Sequence, residues 1–310
     1  MNSATDAVSI PLKEVKGAIL SQVDLSDLTT YRVGGPAEWF SAPQNQEQLQ
    51  AVREWAHQQS LPITVLGAGS NLLISDRGLP GFILSTRYLR QQTIDAASGL
   101  VIVEAGKPLP RLCWQVAEQG LSGLEWAVGV PGTVGGAVVM NAGAHDGTIA
   151  DSLVSAEVLH PNGQVSLLSR EDLHYGYRTS SLQGSPIVVL RATFQLTPGI
   201  DPEIVAQTTQ RHRDHRLKTQ PYDQPSCGSV FRNPLPQKAG WLIEQSGLKG
   251  FRIGGAQVSP KHANFIVNCG NATANDIYTL ISVIQKKILD KWELSLHPEV
   301  KMLGDFELAL

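Results

Sequence analysis

"VLGAGSNLLISDRG", residues 65–78, poses the question that decides the fold. An apolar run enters Gly67-x-Gly69 as in a dinucleotide-binding turn, yet Leu72 stands where a Rossmann fingerprint needs its third glycine. The turn residues Ser75-Asp76-Arg77-Gly78 and Pro80-Gly81 follow too soon for a crossover helix. A ribose-binding acid is expected about 20 residues on, where Arg87, Tyr88 and Arg90 stand instead. The segment therefore reads as a strand-to-turn element whose backbone N–H groups and short side chains suit a pyrophosphate. From these residues alone a plain tight turn reads equally well.

The second element is AVGVPGTVGGAVVMNAGA, residues 127–144. It approaches a membrane span in length, but Pro131 and its five glycines would leave backbone groups unpaired in lipid. Flexible linkers are polar, whereas this stretch is threaded with Val128, Val130, Val134, Val138, Val139 and Met140. It is expected to be a loop system whose bare backbone admits a diphosphate or a flat isoalloxazine ring. Thr133 and Asn141 supply side-chain hydrogen bonds.

Outward from these two stretches, apolar spacing predicts helices over 45–59 and 110–119, the second stopped by Gly120. Strands are expected at 63–66, 82–84, 100–104 and 187–196. Asn162-Gly163 predicts a hairpin between 153–159 and 164–168. At Asp201-Pro202-Glu203 the character changes to a helix bearing Arg211, Arg213, Arg216 and Lys218, which marks an expected domain boundary. Its basic face has two readings, a solvated surface and a lure for a diphosphate. A short helix at 239–245 and a strand at 263–268 follow. Thr273-x-x-Asp276 then opens a long helix with Ile277, Leu280, Ile281, Ile284 and Ile288 on one stripe.

A chain of 310 residues holds two or three lobes, and a formal charge of -3 with no basic run asks for neither nucleic acid nor an anionic membrane. A small-molecule partner is the default, with no obligate protein partner indicated. Cys113, Cys227 and Cys269 are odd in number and far apart, which argues against a disulfide framework and against a zinc site. No metal is expected, and the compartment is expected to be reducing. Asp6, Pro11, Lys13 and Glu14 interrupt the start of the chain, which reads as a lead-in and not as a signal peptide.

The blocks TYRVGGPAEWF, VLGAGSNLLISDRG, GVPGTVGGAVVMNAGAHDG, YGYRTSSL, CGSVFRNP, AGWLIEQSGLKG, GGAQVSPKHANFIVN and HPEVKMLG occur in one order. In that order they resemble the UDP-N-acetylenolpyruvoylglucosamine reductases, from about residue 25 to 303. The resemblance implies an α+β protein: a two-lobed FAD-binding domain of the vanillyl-alcohol-oxidase type plus an α+β substrate-binding domain. On that pattern 1–20 is an N-terminal lead-in and 21–88 the first FAD-binding lobe, to which 298–310 returns. Residues 89–200 form the second lobe, and 201–297 hold the UDP-sugar. The run from Lys218 through Pro221-Tyr222-Asp223 to Cys227 resembles the type lacking an extra tyrosine-bearing loop.

The implied activity is cytoplasmic and belongs to peptidoglycan synthesis, with FAD and NADPH as cofactors. Hydride passes from flavin N5 to C3 of UDP-N-acetylglucosamine enolpyruvate and a proton to C2, giving UDP-N-acetylmuramate. Gly67, Ala68, Gly69, Ser70, Asn71 and Leu72 match one wall of the FAD site, and Pro131, Gly132, Thr133, Gly136, Asn141 and Gly143 the other. Such chemistry needs a cation, a proton donor and a group that polarises the acid. Arg178 matches the holder of the substrate carboxylate and Ser229 the proton donor to C2. Glu299 matches a neighbour of that carboxylate, either protonated as a donor or part of the proton path. Tyr177, Lys218 and Asn233 match substrate-binding positions, and Lys218 and Asn233 are also candidates to polarise Ser229.

Cys227, two residues before Ser229, is a rival nucleophile on paper. His262 stands near a position where some members carry glutamine, so its role is open. Two rival functions remain at this level. A related FAD-dependent oxidase would show rapid reoxidation by oxygen, and a flavoprotein sensor would bind FAD and a UDP-sugar without turnover.

Overall fold

The computed structural model describes residues 9–11 and 18–307, so most of the expected lead-in over 1–20, and residues 308–310 of the returning segment, lie outside the described residues. By its contacts the chain divides into two units. Of the described residues, the first holds 9–11, 18–21, 39–68 and 81–216, and the second 22–38, 69–80 and 217–307. This differs from the expected lobes, whose substrate domain began at 201. The difference has a physical cause. Tyr31, Val33 and Leu73 share one core with Cys227, Val230 and the stripe of the last long helix. Composition along the chain does not show such long-range burial.

Strands Ser9–Pro11, Ala18–Asp24, Pro36–Ser41, Leu79–Ser85 and Ile63–Leu66 form a sheet in that order, the last two parallel. Helix α1, Gln46–Gln58, begins where the Asn45 side chain accepts the Gln48 N–H, and it buries Leu49, Val52 and Ala56. A second sheet runs Val165–Ser169, Leu153–Leu159, Val188–Gln195, Leu100–Glu104, Gln92–Asp95. Its first pair is the hairpin expected at Asn162-Gly163, with Gly163 at φ +88. Helix α2, Leu109–Ala117, buries Leu112, Cys113 and Val116.

The glycine-rich stretch is not only a loop. A 3-10 turn, Glu125–Gly129, precedes helix α3, Val134–Met140. Thr133 caps α3 by accepting the Gly136 N–H, and Val134, Ala137 and Val138 are buried against the second sheet's core. A Cβ on Gly135 would lie 2.8 Å from the Ala105 Cβ, so glycine permits this approach. Packing thus overrides the poor helix propensity that made a loop the expectation. A single turn α4, Ile149–Ser152, follows, and then α5, Pro202–Thr219, opened where Asp201 accepts the Glu203 N–H.

The second unit contains α6, Ala239–Gln245, and a sheet of Arg252–Ile253, Ala256–Val258 and Ile266–Asn268. Helix α7, Ala274–Trp292, starts with a capping box between Thr273 and Asp276 and buries Ile277, Leu280, Ile281, Ile284 and Ile288. After the Gly67-x-Gly69 turn comes a strand, Leu72–Ile74, and not a helix, so the chain has no Rossmann crossover there. That strand pairs in parallel with Lys301–Leu303.

Asp76 ties the opening stretch to α7. Its two carboxylate oxygens accept the N–H groups of Ala274 (2.8 Å) and Asn275 (2.9 Å) at the helix start, where a negative charge also meets the favourable end of the dipole. Asp76→Ala is expected to lower stability by about 1–2 kcal/mol, and Asp76→Asn, which keeps an acceptor, by less. Urea denaturation followed by circular dichroism measures both.

Candidate functional site

In the first unit the residues matched to cofactor binding are drawn together by absent side chains. A Cβ on Gly67 would stand 2.6 Å from the Thr133 hydroxyl, so the turn and the glycine-rich stretch approach at backbone distance. Gly132 has φ +135, and Gly136 is exposed, with a Cβ meeting only Thr133 Oγ1 at 3.6 Å. Pro131 is exposed as well, and Ala68 is half-buried. The backbone here is bare.

Asn141 ends α3 in the left-handed region at φ +43. Its Nδ2 donates to the Gly176 carbonyl (3.0 Å) and its Oδ1 accepts the Ala150 N–H (3.1 Å), so much of its hydrogen-bonding capacity serves the protein. Arg178 donates through Nη2 to the Gly143 carbonyl at 2.6 Å, and its guanidinium lies 5.2 Å from the Tyr177 ring centroid. Asn141, Gly143, Tyr177 and Arg178 thus form one group, with Tyr177 exposed and Arg178 half-buried.

The second unit holds the other two members of the expected trio. Glu299 donates its N–H to the Val230 carbonyl (2.7 Å), and Arg232 donates to the His297 carbonyl (3.0 Å), which sets Ser229 and Glu299 on paired segments. The Asn71 side chain donates to the Glu299 carbonyl at 3.1 Å. Gly69 sits at φ +64, where a Cβ would collide with the Leu28 carbonyl. Its own carbonyl accepts the Thr30 N–H at 3.3 Å. Ser70 and Leu72, on either side of Asn71, are half-buried. Asn233 accepts the first N–H of α6 from Ala239 (3.0 Å), and Lys218 is exposed at the end of α5.

The Cys227 alternative loses its chemical basis. The side chain is buried, and that burial pushes the thiol up to about 12, far from a thiolate at neutral pH. Hydrogen bonds from its surroundings only partly offset the burial. His262 helps build a turn: its Nδ1 accepts the Asn264 N–H (3.2 Å), and its ring packs edge-on against Phe265.

Three features have little sequence signal. Buried Asn264 accepts the Phe231 N–H (3.0 Å) and donates to its carbonyl (2.8 Å), fixing the backbone two residues after Ser229. Gln183 donates to the Arg178 carbonyl at 2.9 Å. Next to Gly143, His145 stacks on His212 with centroids 4.2 Å apart, and His215 approaches edge-on at 5.4 Å. His212 and His215 share a face of α5 by their spacing, but nothing in the sequence points from them to His145. Burial lowers the pKa of His145 and His212. For His145 the neighbours His212, Arg216 and His215 lower it further against Asp146. For His212, Arg211 and His215 act in the same direction against Glu125. Among the described residues no group of three or more His, Cys, Asp or Glu is placed to hold a metal ion, and no helix is long and apolar enough to cross a membrane.

These residues fit a flavin dinucleotide. Gly67 and Gly136 leave bare backbone where a side chain would fill the space or stand against Thr133, and the wall residues offer neutral hydrogen-bonding groups. Residues 37–169 match the FAD binding domain family, and 220–303 match the family described as UDP-N-acetylenolpyruvoylglucosamine reductase, C-terminal domain. The UDP-N-acetylenolpyruvoylglucosamine reductase of Acaryochloris marina is 62% identical over 284 residues, 92% of this chain and 92% of its own. That of Trichormus variabilis is 57% identical over 308 residues, 99% of this chain and 93% of its own. The crystal structure of the Thermus caldophilus UDP-N-acetylenolpyruvylglucosamine reductase superposes with a TM-score of 0.80 at 37% identity, covering 93% of this chain and all of that one.

Two measurements follow from the site. Thiol titration of the native protein near pH 8 is expected to label half-buried Cys269 quickly and buried Cys113 and Cys227 only after denaturation; rapid labelling of Cys227 in the folded state contradicts its assignment as inert. The second concerns pH. A histidine with a depressed folded pKa stays neutral in the folded protein while the unfolded chain takes up protons near pH 6.5. The contribution of His145 and His212 is therefore fully present above about pH 6.5 and lost as pH falls through their folded values. Denaturant midpoints between pH 7.5 and 5.5 should fall towards acid, and His212→Gln should make that slope shallower.

Proposed function

The chain belongs to the UDP-N-acetylenolpyruvoylglucosamine reductase family, and from that premise we propose that it reduces UDP-N-acetylglucosamine enolpyruvate to UDP-N-acetylmuramate for peptidoglycan synthesis. It is an FAD-dependent oxidoreductase with NADPH as reductant. The observation that carries the reading is identity of 57–62% to curated reductases over nearly the whole length of both chains. The reaction takes place in the cytoplasm, and the partners are the two small molecules, NADPH and the UDP-sugar, which use one site in turn.

FAD, when bound, supplies from N5 the hydride that C3 of the enolpyruvyl group receives. The chain's residues handle binding, charge and the proton. Gly67 to Leu72 and Pro131 to Gly143 seat the cofactor through backbone groups. Arg178 grips the substrate carboxylate and stabilises the negative charge that grows on the conjugated enolate, as a rigid charged fork does well. Its bond to the Gly143 carbonyl holds the guanidinium in place.

Ser229 delivers the proton to C2. A serine hydroxyl is a weak acid, so its transfer depends on placement: Val230 beside it is held between the Asn264 carbonyl (2.8 Å) and the Glu299 N–H (2.7 Å). Glu299 faces the carboxylate or passes the proton onward. Tyr177, Lys218 and Asn233 contact the substrate. The oxidase and sensor alternatives have no comparable support.

Ser229→Ala separates the two halves of the cycle. Reduction of the bound flavin by NADPH should proceed at the native rate, while reoxidation by the enolpyruvyl substrate slows by about 10²–10⁴-fold. Stopped-flow absorbance of the flavin reads both, and undiminished reoxidation by substrate overturns the role of Ser229.

A further inference from the structure

The loop that carries Arg178 is short and held from several sides. Gly176 and Thr179 exchange backbone hydrogen bonds (3.1 and 3.3 Å), which leaves Tyr177 and Arg178 at the tip of a tight turn. Arg178 is in the left-handed region at φ +58. A residue with a Cβ persists there only when its surroundings over-determine it, and a peptide flip would release the strain and swing the side chain away. Side chains from both legs of the turn reach carbonyls of the last turn of α3, where the helix leaves acceptor capacity for partners outside it. Tyr175 donates to the Val138 carbonyl (3.0 Å) and Ser180 to the Val139 carbonyl (2.6 Å). Gln183 bridges: its Nε2 donates to the Arg178 carbonyl at 2.9 Å and to Val139 at 3.4 Å.

We propose that Gln183 is a positioning residue for substrate reduction, fixing the peptide that follows Arg178 so that the guanidinium stays in place for the substrate carboxylate. The proposal rests on the reading of Arg178 given above. Gln183 differs from Tyr175 and Ser180 in what it restrains. Those two fasten the legs of the turn to α3, whereas Gln183 holds the carbonyl whose rotation would let Arg178 leave the left-handed region. The Arg178 bond to Gly143 then acts on an arginine already aimed, and Asn141 secures the turn at Gly176.

The test uses the full-length, FAD-loaded enzyme and four single variants: Gln183→Met and Gln183→Glu, which keep length but lose the donor, Ser180→Ala, which loosens the loop elsewhere, and Arg178→Ala. Both Gln183 variants are expected to reduce flavin with NADPH within about twofold of the native rate. Their reoxidation by the enolpyruvyl substrate should slow by about 10–100-fold, with a raised KM for that substrate. Ser180→Ala should shift thermal stability and leave reoxidation near native. In the Arg178→Ala background, Gln183→Met should add less than about twofold, because its effect passes through the arginine. Native reoxidation in both Gln183 variants, equal losses in Ser180→Ala, or a full additive loss in the double variant overturns the proposal while leaving Arg178's role intact. Native reoxidation in Arg178→Ala overturns that role and the proposal with it.

Discussion

The approach of Gly67 to Thr133 is the constraint on which the glycine-rich part of the first unit depends. With no side chain at 67, the end of a parallel strand lies against the hydroxyl that also caps α3. One threonine thereby meets both the start of a helix and the turn at Gly67. The consequences run along α3. Its seven residues place Asn141 at the far end, and Asn141 and the last-turn carbonyls hold the turn bearing Arg178. A side chain at 67 would therefore be felt at the arginine, through packing and not through direct contact.

How much of this was legible in the sequence depends on the range of the interaction. Local signals carried well: Thr273-x-x-Asp276 as a helix start, Asn162-Gly163 as a turn, and the isoleucine stripe of α7 are each written within a few residues. The strand after Gly69 agrees with the missing third glycine and the early turn residues. What failed was a judgement about propensity. Residues 134–140 contain two glycines and three valines, a poor helix on local grounds, yet burial of Val134, Ala137 and Val138 and the close seat of Gly135 on Ala105 stabilise one.

The site divides in the same way. Arg178, Ser229 and Glu299 stood out through motifs, since each sits in a short block of characteristic composition. Asn264 and Gln183 did not, because a buried amide that braces a backbone leaves no spacing pattern. The pairing of residues 297–299 with 230–232 joins segments separated by more than half of the second unit's longest stretch, and only the folded chain reveals it. The division by contacts keeps most of α5 with the first unit, whereas the change of character at Asp201 marks only the start of that helix.

The second unit is built from chain segments made far apart in time. Tyr31 accepts, through its carbonyl, the side chain of Asn268, and Asp76 waits for the start of α7, 198 residues further on. During synthesis the ribosome releases residues 22–38 and 69–80 long before their partners exist. Their apolar side chains, Tyr31, Val33 and Leu73, stay without a core until α7 and the strand at 301–303 emerge. The first unit, by contrast, draws its residues from the chain up to 216. The two units thus differ in how much of the chain must be made before their cores can close.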